Sequence, residues 1–192
     1  MQFQTTAGIY EANDRIPVQT IAKIYEANDR IRAKLKETLA GVTEHQVAVL
    51  PDGEKWSIAQ IAEHVSMVGN GMYRICAKLL SKAEANGQLS DGTVDLKAFS
   101  EKALGIADIK LEAPEIVQPT GTRSIAESIR SLDETQEAFN RLRPLFEKYD
   151  ASEPKFPHPY LGDMTAVEWL AMYGGHEVRH LRQIKRLLER IG

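Results

Sequence analysis

Apolar residues recur at spacings of three and four through four long stretches of this chain, which is the periodicity of amphipathic helices. Ile21, Ile24, Ile31 and Leu35, with Asn28 interrupting the stripe, predict a first helix over about residues 18–39. Ile61, Val68, Ile75 and Leu79 predict a second, which ends at Asn86-Gly87, a natural helix stop. Ile125, Ile129, Leu132, Phe139, Leu142 and Phe146 predict a third, interrupted by Gln136, with Pro144 expected to kink or tighten its last turns. A fourth covers about residues 165–190. Three of the four open on capping boxes: Ser57-Ile-Ala-Gln60, Ser124-Ile-Ala-Glu127 and Thr165-Ala-Val-Glu168. In each, the hydroxyl accepts from the third helical amide while the Gln or Glu reaches back. No alternating run of useful length predicts a strand.

Four such helices predict an all-α fold, a four-helix bundle. The 35-residue connection over 87–121 carries Pro114, Pro119 and four glycines and is longer than a bundle hairpin needs. It can span the bundle's length, which favours an up-down-down-up order with helices 2 and 3 parallel. The alternative is a surface excursion without topological meaning. Residues 96–104 within it are expected to form a short helix.

The segment Ile9-Tyr-Glu-Ala-Asn-Asp-Arg-Ile16 recurs unchanged as Ile24-Tyr-Glu-Ala-Asn-Asp-Arg-Ile31. A spacing of 15 without a third copy is no solenoid repeat. Pro17 separates the copies, so the second is assigned to helix 1. Residues 1–17 are read as an N-terminal extension and 18–192 as the bundle domain.

The chain has 192 residues and a formal net charge of -3, with Lys+Arg 24 against Asp+Glu 27. That balance speaks against binding nucleic acid by phosphate neutralisation. No stretch approaches the ~20 apolar residues of a membrane span, and the N-terminus lacks a basic region followed by an apolar one. Cys76 is the single cysteine, which fits a reducing compartment. The expectation is a cytoplasmic protein acting on a small molecule, without nucleic acid or membrane as partner and with homodimerisation open.

The histidines carry the candidate chemistry. His176 and His180 stand four apart, about 40° apart around a helix, on the line of Trp169, Tyr173 and Leu187. They therefore point into the bundle. His64 shares the inward stripe of helix 2. Each could be a separate core histidine bonded to its neighbours. Three imidazoles converging on one core are more economically explained by a shared cation, and imidazole suits Zn, Ni, Fe and Cu. His176-Glu-Val-Arg-His180 also reads as H-E-x-x-H, the zinc-protease motif. Only 12 residues follow His180, with no further distant ligand among them, so the protease reading is set aside and a third ligand must come from upstream, with His64 the candidate.

Trp56-Ser-Ile-Ala-Gln-Ile-Ala-Glu-His64-Val65, His158-Pro-Tyr-Leu-Gly162, Glu168-Trp-Leu170 and His176-Glu-Val-Arg-His180-Leu-Arg-Gln-Ile184 resemble, in order and spacing, the DinB/YfiT-like superfamily. The resemblance covers nearly the whole chain from Val18. It implies a four-helix bundle and a metal triad at His64, His176 and His180. It also implies DNA-damage-inducible stress proteins or metal-dependent enzymes, among them S-transferases that use bacillithiol or mycothiol. The expected cofactors are a divalent transition metal, zinc by default with nickel or iron as alternatives, and a low-molecular-weight thiol. A metal-dependent hydrolase and a non-enzymatic metal-binding stress protein are the other readings.

The remaining polar residues receive plainer readings, and no catalytic residue is assigned. His158 is read as a structural loop residue leading into helix 4, and His45 as a surface residue. Asn28 and Gln136 are read as buried amides satisfied by backbone or water, or else as polar groups facing the metal cavity. Glu177 is read as solvated or salt-bridged, or else as a base near the metal. Arg32, Arg74, Arg130 and Arg143 could hold the carboxylates of a thiol but are also ordinary surface charges. The long connection is a candidate lid.

Overall fold

The computed structural model describes residues 20–106, 109 and 111–192. The first copy of the duplicated segment, and the 1–17 extension with it, lie outside the described residues. The second copy lies within helix α1, Ile21–Ala40, which Thr20 caps by accepting from the amide of Lys23. The other long helices are α3, Ile58–Asn86, α5, Ile125–Lys148, and α6, Ala166–Ile191. All three expected capping boxes form, with both hydrogen bonds present in each. A fourth, Thr43 with Gln46, opens the one-turn helix α2, Glu44–Val47, which the periodicity had not marked. Helix α3 stops at Gly87, whose φ of 71° places it in the left-handed region open to glycine. Helix α5 continues past Pro144 for one more turn. Within the long connection lie α4, Lys97–Gly105, and a 3-10 turn at Glu115–Val117.

One expectation of the sequence is corrected. A short antiparallel hairpin, β1 Lys155–His158 with β2 Gly162–Thr165, leads into α6. His158 is thus the last residue of a strand, paired with Gly162, and not a loop residue. Two strands of only four residues, the first carrying Pro157, give no run of alternation long enough for pattern alone to find them.

The core has two apolar layers. One joins Leu35 and Leu39 of α1, Ile58, Ile61 and Val65 of α3, Leu132 of α5, and Leu181, Ile184 and Leu187 of α6. The other joins Ile21, Ile24 and Tyr25 of α1, Met72, Leu79 and Leu80 of α3, Phe139 and Phe146 of α5, and Trp169, Leu170 and Tyr173 of α6. Helices α3 and α5 thus present their N-terminal halves to the same layer. Helices α1 and α6 meet that layer with their C-terminal halves.

Asn28 is buried and donates through Nδ2 to the Leu170 carbonyl at 3.0 Å, the plainer of its two readings. It packs directly on Gly174, where an added Cβ would fall 2.0 Å from Asn28 Oδ1. Glycine here lets α1 approach α6 closely, which brings α1 within reach of the residues beside the histidines. Gln136 is only half-buried and bonds Asp29 at 2.7 Å, so it faces no central cavity.

Candidate metal centre

His64 on α3 and His176 and His180 on α6 come together. Their ring nitrogens each offer one atom, and these atoms lie within 4.8 Å of one another. The ring centroids stand 5.2 Å (His64–His176), 4.9 Å (His64–His180) and 4.5 Å (His176–His180) apart. His64 precedes Val65 and His180 precedes Leu181, both in the first layer, while Tyr173, one turn before His176, belongs to the second. The cluster sits where the two layers meet. His64 and His180 are buried and His176 is half-buried.

Two of the rings have their tautomers set. The Nδ1–H of His64 donates to the Val117 carbonyl at 2.7 Å. The Nδ1–H of His180 donates to Gln183 Oε1 at 2.9 Å. In each case Nε2 keeps its lone pair, the arrangement found around metal-bound histidines. The Trp56 ring lies 4.7 Å from that of His64 and walls the cluster on one side.

Burial also keeps these imidazoles neutral. It lowers the His64 pKa, against the Val117 bond. It lowers that of His176 far below its ordinary value, with His180 and His64 adding to the effect. His180 is pushed down to about 3, by burial first and then by His64. Neutral imidazoles are the form that binds a metal. Three of them with free ring nitrogens could hold one ion. A transition metal suits this nitrogen donor set better than calcium or magnesium would.

The sign of the pH dependence follows. Between about 3 and the ordinary 6.5, an unfolded chain binds a proton at His180 that the native state does not, and His64 and His176 act in the same direction. His180 contributes a slope of about 1.4 kcal/mol per pH unit in that window. Metal-free protein should therefore lose stability as the pH falls below 6.5. Glu177, whose pKa burial raises against the pull of Arg32, works in the opposite sense. Urea midpoints of metal-free protein at pH 7 and pH 5 test this, and equal midpoints would contradict it.

The 87–121 connection is tied to the rest of the fold at several points, one of them in the cluster. Besides Val117, Glu63 accepts from the Thr120 hydroxyl at 2.7 Å and from the Gly121 amide at 2.8 Å. Arg179, between the two α6 histidines, donates to the carbonyls of Ile109 at 2.7 Å and Ile106 at 3.5 Å. The Tyr160 hydroxyl donates to the Glu112 carbonyl at 2.8 Å.

Glu177 is deeply buried, and its carboxylate takes the guanidinium of Arg32 on α1. It is salt-bridged and not solvated, and it is not part of the histidine cluster. Arg32 is equally buried, contrary to its reading as a surface charge. It also donates to the Tyr173 hydroxyl and to the Leu132 carbonyl. Sequence reasoning missed it, although a signal existed: Arg32 falls four after Asn28 and three before Leu35, on the buried stripe of α1. Arg74 and Arg130 are exposed, and Arg143 pairs with Glu147 near the surface. His158 stays outside the cluster. Its Nδ1 accepts from the amides of Tyr160 and Leu161, and its ring packs 5.3 Å from Trp169. His45 is exposed on α2.

The sequence profile of the DinB superfamily matches residues 27–184. The chain belongs to the DinB superfamily. The span matched by the DinB superfamily contains all three clustered histidines as well as Arg32 and Glu177. The chain is also 26% identical over 157 residues to the uncharacterized protein YuaE of Bacillus subtilis strain 168, covering 80% of this chain and 90% of that one. No solved structure matches significantly. Among the described residues of this DinB-superfamily protein, no helix is long and apolar enough to cross a membrane.

Proposed function

We propose that this protein is a metal-dependent transferase in which His64, His176 and His180 ligate a divalent transition metal, zinc by default, and a low-molecular-weight thiol is the nucleophile. The observation that carries the reading is the set of three neutral imidazoles with one ring nitrogen each within 4.8 Å of the others, two of them with Nδ1 engaged and Nε2 free. Three protein ligands leave coordination positions open, as catalytic sites require. A metal held there would supply Lewis acidity that favours the thiolate form of a bound thiol.

The chain's own part is to hold the ligands and to limit water. Val117 and Gln183 orient His64 and His180. Trp56 covers one side of the cluster, and the tethered connection lies over α6 beside it. Hydrolysis would need a nearby base, and the two buried carboxylates next to the ligands are already engaged. Glu177 is taken by Arg32, and Glu63 by Thr120 and Gly121. That supports the transferase over the hydrolase.

Cobalt-substituted protein provides the test. Adding a physiological thiol should release a proton and produce a sulfur-to-cobalt charge-transfer band, absent in His180→Ala. The same thiol should be conjugated to monochlorobimane in a metal-dependent way. An unchanged spectrum together with metal-dependent ester hydrolysis would replace the transferase with a hydrolase. Neither activity would leave a metal-binding protein.

A further inference from the structure

Glu63 lies immediately before a proposed metal ligand, yet its side chain turns away from the histidines. It is buried, and its two oxygens are used separately. Oε1 accepts from the Thr120 hydroxyl at 2.7 Å and Oε2 from the Gly121 amide at 2.8 Å. Gly121 has a φ of 74°, and Gln60, one turn earlier on α3, packs against it at 3.4 Å from where a Cβ would stand. The carboxylate therefore braces a tight turn whose backbone only glycine adopts readily. Three residues before that turn's Thr120 is Val117, whose carbonyl accepts from His64 Nδ1 at 2.7 Å.

Two neighbouring residues of one helix turn thus grip one short stretch of the connection. Glu63 holds it by charge-assisted bonds, which are about twice as strong as neutral ones. His64 uses it as an acceptor. A backbone carbonyl has no means of its own to stay aligned with an imidazole when the segment carrying it belongs to a long irregular connection.

We infer that Glu63 is a positioning residue for the metal centre, clamping Thr120 and Gly121 so that the Val117 carbonyl fixes the tautomer and orientation of His64. This rests on the proposed ligand role of His64. Supporting partners of metal-bound histidines change metal affinity by about 10–100-fold when removed, and a change in that range is expected here. On this account the 115–121 stretch is a fixed wall of the site, and any movement of the connection occurs elsewhere along it.

The test uses full-length protein and two variants that break the clamp from opposite sides, Glu63→Ala and Thr120→Val. Cobalt affinity is measured by chelator competition. The ring nitrogen shifts of His64 are recorded by NMR in metal-free protein, a readout that needs no metal. In the wild type, His64 should be a single Nδ1–H tautomer. In Glu63→Ala it should become a mixture, with cobalt bound at least about 10-fold more weakly. Thr120→Val, which keeps the Gly121 bond, should show a smaller change in the same direction. An unaltered His64 tautomer and unaltered cobalt affinity in both variants would overturn the inference. If the wild type bound no cobalt but Glu63→Ala still shifted the tautomer, the metal reading would fail while the clamp stood. If cobalt bound equally well to all three proteins, the clamp would fail while the metal reading stood.

Discussion

Replacing His64 with alanine should strip most of the metal from a protein that otherwise purifies with close to one divalent transition metal ion per chain. His180→Ala should do the same. Each variant deletes a ring that provides one of three clustered donor atoms. The loss of affinity should therefore exceed the ~10–100-fold expected when only a hydrogen-bond partner of a ligand is removed. Gln183→Leu supplies that comparison, because it takes away the acceptor of His180 Nδ1 and leaves the ligand set whole. Elemental analysis gives the stoichiometry, and chelator competition gives the affinities. The alanine variants should remain helical, since the apolar layers on both sides of the cluster do not depend on these rings. Full metal retention in both variants would remove His64 and His180 from the ligand set.

Arg32→Ala should be the most destabilising single change outside the apolar core. It leaves Glu177 as an unpaired carboxylate in a site closed to water, and it removes the donor to Tyr173 and Leu132. Breaking a buried pair from one side costs roughly 3–5 kcal/mol. For a chain of this length that corresponds to a melting temperature lower by about 10 °C. The direction should partly reverse in the double variant Arg32→Met with Glu177→Leu, because two apolar residues leave no buried charge behind. Urea denaturation of the single and double variants checks both statements. A loss below about 1 kcal/mol for Arg32→Ala would mean that the pair behaves as a solvated surface bridge.

The consequence of that pair for the site lies in the rotation of α6. Tyr173 and Glu177 stand four apart and both meet Arg32. His176 and His180 stand four apart on an adjoining face and meet His64. The helix is thus held from two sides. The polar anchor toward α1 occupies the same turns of α6 as the histidines that face α3.

Much of this was legible in the sequence because it is local. A capping box joins residues three apart, so Ser57, Ser124 and Thr165 announced the starts of α3, α5 and α6 without reference to the rest of the chain. Helical geometry alone put His176 and His180 on one inward face. The inward stripe of α3 did the same for His64. Their convergence on one core already pointed to a shared cation, the family resemblance pointed to the same three, and the profile match over residues 27–184 bears out the membership.

What remained hidden depends on partners far away along the chain. Arg32 and Glu177 are 145 residues apart, and a charged residue on a buried stripe does not name the charge that meets it. The hairpin before α6 depends on a ladder between strands, which two four-residue segments, one of them interrupted by proline, do not signal. The acceptor for His64 is a backbone carbonyl, and every residue carries one. Only the path of the connection selects Val117, and Glu63 ties that path to the helix through its two bonds. The sequence by itself determined which residues could face the centre, because side-chain direction follows from the helical period. The tertiary structure decided which of them meet and what holds them, because pairing of buried polar groups is settled by packing between elements distant in the chain.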